Sequence, residues 1–226
     1  DYEQQVRFFV PKGIAYKEGK AKHFQKAAAF LQDAIIASDG GSLVLCSSHE
    51  QVEQLYELLY PALTQKNILL LKQARGKSAS SVLSEFRQDL NSVLIGTLTL
   101  WQGVDVPGDS LRSLFIFKIP YKRPSAPVIR ARMDFIDAHG GNGFEGYYEP
   151  LAALELKQGF GRLIRKKTDV GIAVLLDEGL LGRPRIVASL PEGVTVQRAS
   201  PDQVIQALAA LAANVQERMG TLEVAE

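Results

Sequence analysis

The chain has 226 residues, of which 46% are hydrophobic and 23% are charged, as is usual for a soluble globular domain. Its formal net charge of +1 excludes a strong overall attraction to nucleic acid, so any such binding has to come from local clusters of charge. A single cysteine, Cys46, excludes an internal disulfide framework, and with only three histidines beside it we expect no metal site in this chain. Neither a secretory signal nor a membrane-spanning apolar run is evident, so we expect a cytoplasmic protein with no membrane partner.

Apolar runs alternate with helical patterns along most of the chain. Five runs indicate strands buried on both faces: residues 43–46, 68–71, 93–95, 113–117 and 172–176. Between them, residues 21–37, 50–60 and 80–90 have the periodicity of helices, and Pro61 is expected to end the second of these. Such alternation is typical of βαβ units, so we predict an α/β fold with a mostly parallel central sheet flanked by helices.

Two later segments depart from this alternation. Residues 121–150 are rich in proline, glycine and basic side chains, which predicts an insertion with one helix near residues 126–138 and a loop. The Ala- and Leu-rich residues 201–219 predict a further helix that packs on the domain.

The string Q-x-x-G-R-x-x-R at residues 158–165 is the most informative stretch of the chain. If residues 151–166 form a helix, Gln158, Arg162 and Arg165 stack on one of its faces. Two guanidiniums and an amide in this arrangement can grip the oxygens of a phosphate chain. The alternative is a solvated basic face, the usual meaning of such spacing in a lone helix.

A second string, at residues 96–108, follows the strand predicted at residues 93–95. It places hydroxyls, a tryptophan, glycines and an aspartate at the carboxyl end of that strand. In open α/β sheets this edge is where ligands bind. The alternative is a structural turn at the Pro-Gly pair that ends the string, with the tryptophan in the core.

The triplet Gly76-Lys77-Ser78 suggests a phosphate-binding loop, but the rest of the motif is missing. The motif G-x-x-x-x-G-K-[ST] requires glycine at its first position, where this chain has Leu71. A serine that caps the following helix is the better interpretation. Since no acidic pair for magnesium follows a strand either, the chain has arginines suited to phosphate without a phosphate cradle.

Together the two strings resemble motifs VI and V of the superfamily two DNA helicases of the DinG/XPD type. Residues 42–48 resemble the motif IV strand of that family, and residues 1–20 resemble its linker into the second motor domain. The resemblance extends to about Leu190. The family's motor has two RecA-like domains with ATP in the cleft between them. The first carries the phosphate loop, the magnesium carboxylates and, in many members, an iron–sulfur cluster.

The resemblance therefore implies that residues 21–226 form the second RecA-like domain alone, with ATP and Mg²⁺ bound mainly by a first domain that this chain lacks. The resemblance allows an iron–sulfur cluster in the parent protein but implies none in this chain. Arg162 and Arg165 match the trans-acting arginines, which stabilise charge on the transferring phosphoryl group. Gln158 matches the motif VI glutamine near the nucleotide. The motif V pair on the cleft side is matched by Gly103 and Asp105.

Single-stranded DNA is the expected ligand of the other motif positions. Ser48, Thr97 and Thr99 match hydroxyl positions near the DNA backbone. Basic residues that follow the strand at 113–117 extend this track through phosphate contacts that do not read sequence. The basic residues are Lys118, Lys122, Arg123, Arg130 and Arg132, and Tyr121 and Trp101 are candidate stacking surfaces.

We therefore expect the C-terminal motor domain of an ATP-dependent 5′ to 3′ DNA helicase, whose partners are single-stranded DNA and the first RecA-like domain. Alone, it is expected to be inactive in ATP hydrolysis. One alternative is a non-catalytic nucleic-acid-binding or regulatory module that retains the fold. Another is an unrelated α/β enzyme, which is disfavoured because His49 and His139 have no evident partners for a catalytic triad.

Overall fold

A seven-stranded sheet organises the domain. The computed structural model describes residues 2–75, 79–100, 106 and 110–223. Within them all strand pairs are parallel, in the order β3-β4-β2-β5-β6-β1-β7. The strands are β1 Val6–Pro11, β2 Ser42–Cys46, β3 Leu70–Lys72, β4 Val93–Thr97, β5 Ser113–Ile116, β6 Gly171–Leu175 and β7 Val196–Ala199. The predicted α/β fold with a parallel central sheet is confirmed.

Helices cover both faces of the sheet. They are α1 Tyr2–Gln5, α2 Lys20–Ala37, α3 His49–Gln65, α4 Ala79–Gln88, α5 Pro127–Ala138, α6 Glu149–Leu163, α7 Pro184–Ala188 and α8 Pro201–Glu223. One core layer packs α2, α3 and α8 on the sheet, and the other packs α4, α6 and α7 on the opposite face. Alternate residues of β2 join alternate layers, which is why its run is apolar throughout.

The amino-terminal segment belongs to the sheet, so the linker expected at residues 1–20 is wrong for residues 6–11. These residues form β1, which pairs in parallel with β6 on one side and β7 on the other. Phe8 and Val10 are fully buried. Phe8 also meets Phe160 of α6 edge to face, with 5.0 Å between ring centroids. The core therefore includes β1, and the boundary expected at residue 21 is too late.

Pro61 does not end the second helix as expected, because α3 continues through it to Gln65. Proline lacks the N–H that would close one helical hydrogen bond, and this usually breaks a helix. Here Leu59 and Leu63, on either side of Pro61, are both fully buried. Their burial holds the two halves of the helix on the sheet and offsets the lost hydrogen bond.

The insertion contains the expected helix, α5, whose residues are all at least partly exposed. The sequence pattern did not predict a π-helical turn, Phe144–Tyr148, which runs directly into α6. Tyr121 stacks on Tyr148 with 5.0 Å between centroids and an angle of 11° between the rings. This contact ties the start of the insertion to the start of α6.

The direction of strand addition reverses between β2 and β5. From β2 the chain crosses through α3 towards β3 at one edge, whereas from β5 it crosses through α5 and α6 to β6 on the other side. In open parallel sheets the crevice at such a reversal, outside the carboxyl ends of the strands, is the usual ligand site. The fold therefore points to the ends of β2 and β5.

The part of the chain that the structure describes offers few features of a metal, membrane or thiol site. That part has no group of three or more His, Cys, Asp or Glu side chains that could hold a metal ion. None of its helices is long and apolar enough to cross a membrane. Cys46 is fully buried in β2, and this burial raises the pKa of its thiol above the ordinary value.

Candidate nucleotide and nucleic-acid sites

Helix α6 presents Gln158 and Arg162 away from the core. Its inner face is apolar and buried, with Leu156 and Phe160 each 1% exposed. Gln158 is exposed and Arg162 is half-buried one helical turn later. Arg162 makes no ion pair with any described residue. An amide and a guanidinium on one open surface match the donor set that phosphate oxygens require.

Arg165 does not share this helical face, which corrects the expected helix at residues 151–166. Helix α6 ends at Leu163, and Ile164 is extended, with φ −118° and ψ 116°. The Asp169 carboxylate accepts hydrogen bonds from the backbone N–H groups of Arg165 and Lys166, at 2.9 and 2.8 Å. These two donors are therefore bound outside a helix. The stacking expected for three side chains holds only for Gln158 and Arg162.

The Arg165 guanidinium is partly buried and lies near the charged side chains of Asp169 and Arg87. The residue is half-buried, and this burial lowers the pKa of its guanidinium. Asp169 raises that pKa, while Arg87 of α4 lowers it. Arg165 therefore lies close enough to α4 for the two arginines to repel each other. Of the two motif VI arginines, Arg162 is the one that the fold leaves open.

Gly161, in the last turn of α6, provides a test of how open this face is. A Cβ there would meet nothing within 4 Å. Because alanine is favoured over glycine inside helices, Gly161→Ala should raise the free energy of unfolding by about 0.5–1 kcal/mol in urea denaturation. Gly171→Ala is the matched control and should destabilise, since its Cβ would lie 2.7 Å from Leu163. Destabilisation by Gly161→Ala would show that the position is not open.

The predicted motif V pair, Gly103 and Asp105, lies outside the described residues, as do Trp101 and the triplet at residues 76–78. The described residues before the pair show how the loop begins. Thr97 ends β4 and is only 7% exposed. Its N–H and hydroxyl both donate to the Gln73 side-chain oxygen, at 2.8 and 3.0 Å.

The two threonines predicted to contact DNA therefore differ in this structure. The hydroxyls of Thr97 and Thr99 are 2.7 Å apart, so Thr97 is bonded on both sides. Buried and fully engaged, Thr97 orders the end of β4 and is not available to a phosphate. Thr99 is exposed, but because it donates its one hydroxyl hydrogen to Thr97, it can only accept a further hydrogen bond.

An open groove of about 330 Å³ lies at the strand reversal. It is lined by residues that follow β1, β2, β4 and β5, so it occupies the crevice that the topology indicates. The cationic side chains along it are Lys20, Lys118, Lys122 and Arg123. Although the chain as a whole carries only +1, positive charge is therefore concentrated in this groove.

Ser48 lines the groove at the start of α3, as predicted for a strand-end hydroxyl. It is the N-cap residue of α3, and its side-chain oxygen accepts from the N–H of Gln51 at 3.3 Å. The Gln51 side chain accepts in return from the N–H of Ser47 at 2.9 Å. This reciprocal cap holds the hydroxyl in place while leaving its own O–H to donate.

Lys122 and Arg123 both line the groove, but their surroundings differ. Arg123 is exposed and makes no ion pair with any residue that the structure describes. The Lys122 ammonium is paired with the Glu155 carboxylate of α6. Arg130 and Arg132 lie on α5 and do not line the groove. Of the basic residues predicted for the track, Arg123 is therefore the most available.

Three tyrosines also line the groove. Tyr16, Tyr121 and Tyr148 all line it, and Tyr16 is 37% exposed. The Lys118 ammonium lies 4.5 Å from the centroid of the Tyr16 ring. Burial raises the pKa of the Tyr121 hydroxyl, with Arg183 opposing that shift. Aromatic faces between cations are the combination that single-stranded nucleic acids require.

Sequence reasoning missed three contributors to this region: Tyr16, Lys20 and Glu155. The first two follow β1, and they would have been candidates if β1 had been recognised as a strand. Glu155 lies on α6, far in sequence from Lys122, and no local pattern indicates that the two side chains meet. All three depend on contacts that the sheet topology brings together.

Comparison with known proteins places the chain in a family. Residues 31–196 match the family described as the helicase C-terminal domain. The chain belongs to this family. YoaA of Escherichia coli, named an ATP-dependent DNA helicase, is 34% identical to this helicase C-terminal domain over 196 residues, which cover 84% of the chain and 30% of YoaA. DinG of Mycobacterium tuberculosis, named an ATP-dependent helicase, is 40% identical over 147 residues, which cover 65% of the chain and 22% of DinG.

The solved structure of S. tokodaii Xpd4 supports the same assignment at the level of the fold. It superposes with a TM-score of 0.61 at 15% identity, over 85% of this chain and 38% of that one. The identification as a DinG/XPD-type C-terminal RecA-like domain is thus confirmed. The helicase C-terminal domain described here spans less than a third of the length of the two curated relatives, at 30% and 22%.

Proposed function

We propose that this chain is the C-terminal motor domain of an ATP-dependent DNA helicase that moves 5′ to 3′. It would act with a first RecA-like domain of the same protein and with single-stranded DNA. The observation that carries this proposal is the combination, on one domain, of an outward-facing Gln158 and Arg162 with a cationic, tyrosine-lined groove at the strand reversal. Membership in the helicase family supports the pairing of these two surfaces in one motor.

On the nucleotide side, the residues present fit a phosphate chain approached from outside the domain. ATP, held with Mg²⁺ mainly by the first domain, would supply the phosphoanhydride bond whose hydrolysis drives movement. Arg162 places positive charge against the oxygens on which charge develops during transfer, and Gln158 adds a neutral donor one turn earlier. Arg165 is assigned the smaller share because its guanidinium lies near Arg87 of α4 and its backbone N–H is bound by Asp169. Gly103 and Asp105 are proposed to complete the cleft side.

On the DNA side, the strand would run through the groove over the ends of β2, β4 and β5. Ser48 offers a hydroxyl, and Lys122 and Arg123 offer charge, to successive phosphates. Thr99 would donate to a phosphate once its hydroxyl releases Thr97. Tyr16 offers a partly exposed ring on which a base can stack. None of these contacts reads a base edge, so we propose binding that is indifferent to sequence.

A fluorescence anisotropy titration of this chain with a labelled oligothymidylate tests the placement of the groove. Arg123→Ala should weaken binding severalfold and reduce the slope of log affinity against log salt by about 0.7, the value for one phosphate contact on a single strand. The matched control is Lys66→Ala, because Lys66 is an exposed cation that follows the carboxyl end of α3, at the opposite edge of the sheet. If both variants kept wild-type affinity, the strand would bind elsewhere on the domain.

A further inference from the structure

An ion pair joins the groove to the helix that carries Gln158 and Arg162. The Lys122 ammonium, in the groove, pairs with the Glu155 carboxylate, in α6. Lys122 is also held by Tyr148, whose hydroxyl donates to the Lys122 carbonyl oxygen. Tyr148 immediately precedes α6. The groove segment around Lys122 is therefore attached at two points, the residue that precedes α6 and the middle of α6.

Glu155 lies on the same side of α6 as the residues proposed to face the nucleotide. It precedes Gln158 by three residues and Arg162 by seven, and these are the spacings that bring side chains to one face of a helix. The distance from Glu155 to Arg162 along the helix axis is about 10 Å. A shift of α6 that follows Glu155 therefore moves the Arg162 side chain as well.

The two partners differ in exposure, and this makes the pair easy to disturb from one side. The Lys122 side chain is 42% exposed, whereas that of Glu155 is only 12% exposed. A phosphate in the groove can reach the lysine from solvent. The carboxylate is then left nearly buried without its partner, which is unfavourable unless α6 adjusts. Nucleic acid and α6 thus compete for one ammonium.

We propose that Glu155 occupies Lys122 in place of a nucleic-acid phosphate, and that a bound strand displaces it, so that groove occupancy and the position of α6 are coupled. Glu155 is thus a positioning residue that weakens DNA binding in the resting domain and transmits binding to the nucleotide-facing helix. This inference rests on the proposed function, since it takes the groove ligand to be a single strand.

The first test is anisotropy with a labelled oligothymidylate at several salt concentrations, using the whole chain. Glu155→Gln should bind between about twofold and tenfold more tightly than wild type, because it removes the competitor and releases Lys122. Its salt slope should steepen by about 0.7, for one additional phosphate contact. In a Lys122→Ala background, Glu155→Gln should lose most of this gain.

Glu145→Gln is the matched control, because it removes one negative charge from the neighbouring π-helical turn, where Glu145 pairs with Arg185. It should leave the salt slope unchanged. A wild-type chain that binds DNA while Glu155→Gln neither tightens nor steepens binding overturns the inference but leaves the proposed function standing. A wild-type chain that fails to bind at any salt concentration overturns both.

Hydrogen exchange on the wild-type chain provides a test that requires no variant. Adding the oligothymidylate should reduce protection of α6 amides around Glu155, since their side-chain anchor is released, while groove residues gain protection. Protection changes confined to the groove, with α6 unaltered, would overturn the coupling.

Discussion

Replacing Arg162 with alanine in the full-length protein is expected to lower the rate of DNA-stimulated ATP hydrolysis by about a hundredfold or more, a loss of about 2.7 kcal/mol of transition-state stabilisation. Arg162 is the motif VI arginine that the fold leaves open, without an ion pair to any described residue. Its contribution arises mainly as charge develops on the phosphoryl oxygens, so the affinity for ATP should fall much less than the turnover number. Steady-state ATPase assays across ATP concentrations separate these two quantities.

The controls for this experiment come from the same surface. Arg162→Lys should rescue activity poorly, because a point charge cannot reproduce the bidentate geometry of a guanidinium. Lys157→Ala removes an exposed cation five residues earlier on α6 and should leave turnover near the wild-type value. The 226-residue chain alone should show no hydrolysis above background. Near-normal turnover by a folded Arg162→Ala protein would reduce Arg162 to a solvated surface residue and favour the non-catalytic alternative.

Phe160→Ala is expected to destabilise the isolated chain by about 3–5 kcal/mol. Phe160 is 1% exposed and meets Phe8 of β1 edge to face, so the substitution removes a ring from the contact between α6 and the sheet. Domains of this kind have a total stability of about 5–15 kcal/mol, so such a loss is a large fraction of it. Urea denaturation followed by circular dichroism measures the change as a shift of the midpoint at constant slope.

Leu154→Ala is the matched control, on the outward side of the same helix. Leu154 is 52% exposed, and its truncation should change the free energy of unfolding by no more than about 0.5 kcal/mol. Similar losses of stability for the two variants would mean that α6 is not oriented as described. In that case Gln158 and Arg162 would not be on its exposed face. This comparison therefore tests the geometry on which the nucleotide-facing proposal depends.

Elements with strong local signals were predictable from the sequence. Strands β2, β4, β5 and β6 are short apolar runs bounded by polar residues, because each is covered by helices on both faces. The helical periods of α2 and α4 likewise match their apolar faces. Strand β7 was not predicted, since it lies at the edge of the sheet and two of its four residues are exposed. Its pattern carries no clear apolar signal.

The candidate sites divide in the same way. Gln158 and Arg162 could be placed together from their spacing of four residues, because that relation is internal to one helix. Arg165 could not, since the end of α6 depends on the Asp169 carboxylate, which binds the next two free backbone N–H groups. Hydroxyls at strand ends were predictable as a class. The Thr97 hydroxyl, however, is hydrogen-bonded to both Gln73 and Thr99, and this depends on how β3 and β4 pair.

By itself the sequence determined the α/β class, the family-specific strings and the one-turn relation between Gln158 and Arg162, all of which follow from periodicities within single elements. Only the tertiary structure decided that β1 lies between β6 and β7, that the strand reversal falls between β2 and β5, and that Glu155 meets Lys122. These outcomes depend on contacts between residues far apart in the chain. Such contacts are selected by the joint burial of several apolar faces, and no local pattern encodes them.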